Sequence, residues 1–79
     1  MKRAGDVVRT AQGVAVVRSP DEQYASPGTQ VVDENLSEVG TVVDVFGPVD
    51  RPYMAVSPAT DVRLAPLVGT RVYARDSRE

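Results

Sequence analysis

The residues of this chain whose types and spacing could do chemistry gather between Asp44 and Tyr53. Phe46 is the only phenylalanine, and it stands at the end of a valine-rich run, directly before Gly47-Pro48. Pro48 and Pro52 each lack an amide proton and fix φ, so the connection from Gly47 to Pro52 has little freedom. If that connection folds back, Val49 and Tyr53 come close to Phe46 and form a preformed apolar patch. Such a patch loses little conformational entropy on docking, and aromatic side chains contribute disproportionately at interfaces. The chemistry on offer is therefore recognition. The same two aromatics could instead plug one end of a barrel, and the residues alone leave both roles open.

Asp44 lies inside the same apolar run, where an unpaired carboxylate is expensive. A structural hydrogen bond to loop amides is the expected role, because buried polar groups are paired. No second acid–base group accompanies it, so it is not read as catalytic. Histidine and cysteine are absent altogether. That excludes zinc fingers, iron–sulfur clusters, thiol nucleophiles and disulfides, and removes the commonest general acid–base. No phosphate-cradling glycine loop and no metal-ligand cluster is visible. The expectation is a protein without catalytic residues, cofactor or metal.

The elements that must position Phe46 and Tyr53 are strands. The chain has 79 residues, enough for one domain spanning 1–79. Its apolar set holds sixteen valines, eight alanines, three leucines and no isoleucine. Valine is stiff at χ1 and packs well on a pleated surface, which favours sheet over helix. Arg3 to Arg9 and Val14 to Arg18 read as a hairpin around Thr10-Ala11-Gln12-Gly13. Ser19 to Gln30 reads as a long loop, Val31-Val32 as a short strand, and Leu36 as a residue pinned to the core. Val39 to Phe46 is the strongest strand, with apolar groups on both faces and Gly40 marking a bend or bulge. Tyr53 to Val56 returns as a strand that Ser57-Pro58 ends. A single turn is expected around Val62 to Ala65, then a last strand from Arg71 to Arg75 and a mobile tail at 76–79. About six short strands without a convincing helix predict an all-β, closed or nearly closed small barrel.

Charge is close to balanced at −2 but segregated. Residues 1–20 carry four bases and one acid, residues 21–50 seven acids and no base, and residues 51–79 five bases and three acids. A protein whose main task is wrapping nucleic acid shows a basic excess, which is missing here. The acidic middle reads as a solvated face. Arg71, Arg75 and Arg78 could meet RNA phosphates, although ordinary solvated charge on an outer strand face explains them as well. One lysine beside eight arginines and a pI near 5.0 suggest a high-salt or GC-rich source. No run approaches the roughly 18 apolar residues of a membrane span, and the N-terminus lacks the apolar stretch of a signal peptide. A cytoplasmic location, with no membrane partner, is the expectation.

The stretch Val39-Gly-Thr-Val-Val-Asp-Val-Phe-Gly-Pro-Val-Asp-Arg-Pro-Tyr53 resembles the signature hairpin of Gar-type proteins of the H/ACA ribonucleoprotein, the RNA-guided pseudouridine synthase particle. The pattern is V-G-x-V-x-D-V-F-G-P-V-x-x-P-Y. Weaker similarity extends through Val31-Val32-Asp33 and Leu67 to Tyr73, and Gly5 to Arg9 sits where that family has its first strand. The resemblance implies a six-stranded barrel of the reductase, isomerase and elongation-factor type. It implies a non-catalytic accessory subunit that binds the catalytic domain of a dyskerin-type pseudouridine synthase, helps position its substrate-gripping loop, and favours substrate loading and product turnover in ribosomal RNA pseudouridylation. Contact with guide RNA and the other H/ACA proteins would be indirect, through the complex. The absence of glycine/arginine-rich tails fits the compact archaeal form. On this resemblance the partner-binding residues are Val45, Phe46, Gly47, Pro48, Val49, Pro52 and Tyr53. Ser57 stands where relatives often carry a base, and the acidic middle is stronger than usual, so electrostatic contacts are not carried over there. A small barrel that binds RNA directly, in the manner of an OB-fold, is the competing function; it needs a positive groove with exposed aromatics.

Overall fold

A computed structural model describes residues 2–75. It contains six strands: β1 (Lys2–Ala11), β2 (Val14–Arg18), β3 (Gln30–Val32), β4 (Glu38–Phe46), β5 (Tyr53–Pro58) and β6 (Arg71–Ala74). One short 3₁₀ turn, Ala65–Leu67, precedes β6. The strands close into a barrel in the order β1-β2-β5-β4-β3-β6, with every neighbouring pair antiparallel. This is the all-β small barrel expected from the run of short strands, with the six strands that the resemblance implied.

Closure with so few strands requires sharp curvature, and four bulges supply it. Ala4 and Val8 are the extra residues in β1, and Val39 and Val43 those in β4. Strong curvature leaves a narrow interior, which explains why small residues fill it. Ala4, Val7, Ala15, Val17, Val31, Val39, Val42, Val56 and Val72 form the core around Met54, the bulkiest of its fully buried side chains. Leu64, Leu67 and Ala25 pack against this core from the connecting segments. A core of Leu or Phe would not fit this space.

The structure corrects several local expectations. The first hairpin turns on Gln12 (φ 52°) and Gly13 (φ 82°) alone, so β1 runs through to Ala11 rather than stopping at Arg9. Positive φ at both turn residues matches the twist of the flanking strands. Strand β5 continues through Ser57 to Pro58, because Pro58 sits at the strand end opposite Gly40, where no interior amide is required. The helical turn falls at Ala65–Leu67 instead of Val62 to Ala65. Leu36, with φ 66°, is 63% exposed and is not pinned to the core. The bulge expected at Gly40 lies beside it, with Val39 as the extra residue, and β4 carries a second at Val43; Gly40 itself passes close against the Ser57 carbonyl of β5. The expected tail at 76–79 lies outside the described residues.

Ser19 was not singled out in the sequence, yet it is the only buried polar residue among those described. Its hydroxyl meets the carbonyls of Gln23 and of Asp21, the latter at 2.8 Å, and its amide donates to the Pro52 carbonyl at 2.9 Å. It thus ties the 19–29 loop to the β4–β5 connection. Ser19→Ala is expected to cost about 1–2 kcal/mol, the usual toll of orphaning a buried hydrogen-bonding group. Urea denaturation checks the magnitude. Amide exchange checks the place: protection should fall at Gln23 to Ala25 before it falls in β2.

Candidate interaction surface

Strand register decides which way the signature residues point. Arg18, Val17 and Ala15 on β2 face Tyr53, Met54 and Val56 on β5, and β5 in turn sets Tyr53 opposite Phe46 on β4. Met54 and Val56 belong to the core, so the alternation of a strand places Tyr53 on the outer surface, with Phe46 beside it. The two rings are 5.7 Å apart at 83°, an edge-to-face pair. Neither ring fills the lumen, so the plug that the sequence left open is not what they form.

The loop between them is held at both ends. Gly47 has φ 92°, a backbone region that favours glycine, and the chain turns there over the Tyr53 ring. At the other end Pro52 is buried and its carbonyl accepts the Ser19 amide. Between the anchors, Pro48 is exposed and Val49 is 91% exposed at the tip. An almost fully exposed valine on an anchored loop leaves apolar surface in water for no folding benefit. Phe46 is 38% exposed.

The seven residues named from the sequence therefore separate into two groups. Phe46, Gly47, Pro48, Val49 and Tyr53 form an outward corner. Val45 packs partly against the core and Pro52 is buried, so these two support the corner from beneath. Asp44 is also resolved differently from its expected role: it is exposed, and its carboxylate accepts the amide of Val45 next to it at 2.8 Å rather than loop amides. The bulge explains this, since it rotates Asp44 away from the core. Val43, the extra residue of that bulge, is 51% exposed and enlarges the apolar surface along β4. It was missed in the sequence, where the only signal for it was that β4 is apolar on both faces. Among the described residues no group of three or more His, Cys, Asp or Glu side chains could hold a metal ion.

Compared with known families, the sequence matches the family model described as "Gar1/Naf1 RNA binding region" over residues 1–78. No curated protein matches it.

Proposed function

The chain belongs to the Gar1/Naf1 family, an RNA-binding accessory family of the H/ACA ribonucleoprotein and not a catalytic one, and from that premise we propose that it docks on the catalytic domain of a dyskerin-type pseudouridine synthase. In this reading the corner at Phe46, Gly47, Pro48, Val49 and Tyr53 is the docking surface. Its part in catalysis is to hold the synthase's substrate-gripping loop, promoting substrate loading and product turnover during ribosomal RNA pseudouridylation. The observation that carries the reading is the edge-to-face pair of Phe46 and Tyr53 on the outside of the barrel, at the neck of a loop whose tip, Val49, stands in water. A rigid apolar knob of this kind is already ordered before it binds, so docking costs little entropy.

Val49→Asp tests the docking without disturbing the fold, since the side chain touches almost nothing in the free protein. A carboxylate desolvated in an apolar interface has no partner. Binding to the synthase catalytic domain, followed by calorimetry, should weaken at least tenfold while the melting temperature stays within a degree or two. Wild-type affinity in this variant would place the docking surface elsewhere.

A further inference from the structure

Barrel closure joins two basic segments that the sequence keeps apart. β6 pairs with β1, and β1 with β2, so Tyr73 lies opposite Arg3, and Asp6 lies opposite both Arg71 and Arg18. Val72 and Val17 point into the core, which puts Arg71, Tyr73 and Arg18 on the outside, and Arg75 follows on the same face of the chain. The seven acids of residues 21–50 lie on other elements: β4, the connections flanking β3 and, for Asp50, the β4–β5 connection. The result is a face with four arginines around one half-buried tyrosine and one acid, Asp6, on a protein whose net charge is negative. Asp6 meets Arg3 at 3.5 Å and Arg71 at 3.9 Å. Both contacts are long and exposed, so they hold the guanidinium groups loosely and leave most of their donors free. Glu34 borders the groove beside Asp6 and Arg71, and marks where the positive surface ends.

We infer that the outer face of β2-β1-β6, built on Arg3, Arg18, Arg71, Arg75 and Tyr73, binds the sugar–phosphate backbone of single-stranded RNA, with Tyr73 as a platform for one base. Guanidinium forks suit phosphate, and an aromatic ring set among them is the arrangement that single-strand binders use for stacking. This locates the RNA association of the family reading on a surface that adjoins the Phe46 corner only where Arg18 pairs with Tyr53, and it does not depend on synthase docking. With few phosphates engaged and no base-edge contacts, the site is weak, sequence-independent and salt-sensitive.

The test uses the full chain with labelled oligouridine at low ionic strength. Binding is expected, with a log–log salt slope of roughly −2 to −3, as about three or four phosphates on a single strand would give. R3Q/R71Q should weaken it at least tenfold, whereas R51Q/R63Q, which removes the same charge elsewhere, should change it less than twofold. R3K/R71K should retain most of the affinity and so guards against a folding artefact. Asp6→Asn should tighten binding two- to fivefold by removing the competing carboxylate. Tyr73→Leu should weaken oligouridine binding several-fold. No binding by the wild-type chain, equal losses in the two glutamine pairs, or weaker binding in Asp6→Asn would each overturn the proposal. So would polyglutamate competing as well as RNA, since that would mark a site for acidic peptide. Val49→Asp and Phe46→Ala should leave this binding intact, so failure of the docking reading and failure of this one can be told apart.

Discussion

Replacing Gly5 with alanine is expected to remove a large part of the stability of the folded chain. An ideal Cβ at this position would lie 2.0 Å from the Arg18 carbonyl oxygen and 2.8 Å from its carbon, both of them backbone atoms of the neighbouring strand. Neither can give way as the end of a flexible side chain could. The φ of +146° adds strain for any residue with a side chain. Relief requires β1 to separate from β2 next to the Ala4 bulge, where Gly5 also faces Val72 and closes the barrel against β6. Overpacking and backbone strain together should cost about 4 kcal/mol or more. A 79-residue domain has on the order of 4–12 kcal/mol of stability in total, so the loss consumes a large part of it. Gly40→Ala should follow closely, because its Cβ would come 2.0 Å from the Ser57 carbonyl oxygen. Gly69→Ala is the control. Its φ is +91°, but apart from its own chain neighbours no heavy atom lies within 4 Å of the added carbon, so only the left-handed backbone cost of about 1–2 kcal/mol applies. Urea denaturation of the three variants should rank them in that order; a Gly5→Ala protein as stable as Gly69→Ala would show that β1 and β2 do not cross so closely.

Phe46→Ala should weaken docking on the synthase catalytic domain about a hundredfold while changing the stability of the free protein by roughly 1 kcal/mol or less. The asymmetry follows from position. Phe46 is outside the barrel and its main partner is Tyr53, so its removal takes little from the core. A central aromatic lost from a desolvated interface costs about 2–4 kcal/mol. Tyr53→Ala should behave similarly. The double variant should lose less than the sum, since the edge-to-face pair acts as a unit coupled by about 0.5–1.5 kcal/mol. Tyr24 is also exposed but lies on the 19–29 connection, and Tyr24→Ala should leave affinity unchanged. Calorimetric titration of the four proteins measures all of these terms. Unchanged affinity in Phe46→Ala would move the docking surface off this corner.

How far each feature could be read in advance depends on how local its cause is. The strand content was legible because valine's preference for a pleated surface acts residue by residue. The rigidity of the Phe46 corner was legible because proline and glycine act on their own φ. Bulges were harder to place. Gly40 marked the one beside it at Val39, but nothing marked the one at Val43, because a bulge is a mismatch between two strands that neither strand announces. Asp44 shows the consequence: plain alternation from the buried Val42 would turn it inward, and only the extra residue Val43 leaves it outside the core.

Composition and local backbone chemistry by themselves determined an all-β chain, its small-residue core, and a stiff apolar loop after Phe46. Only the closed barrel decided which side of the wall Phe46 and Tyr53 occupy, that Ser19 and Pro52 brace the loop from below, and that Arg3 and Arg71, from opposite ends of the chain, share one face. The reason is physical. Propensity is carried by single residues, whereas facing, bracing and shared charge arise from register between strands distant in sequence, and register exists only once the sheet has closed.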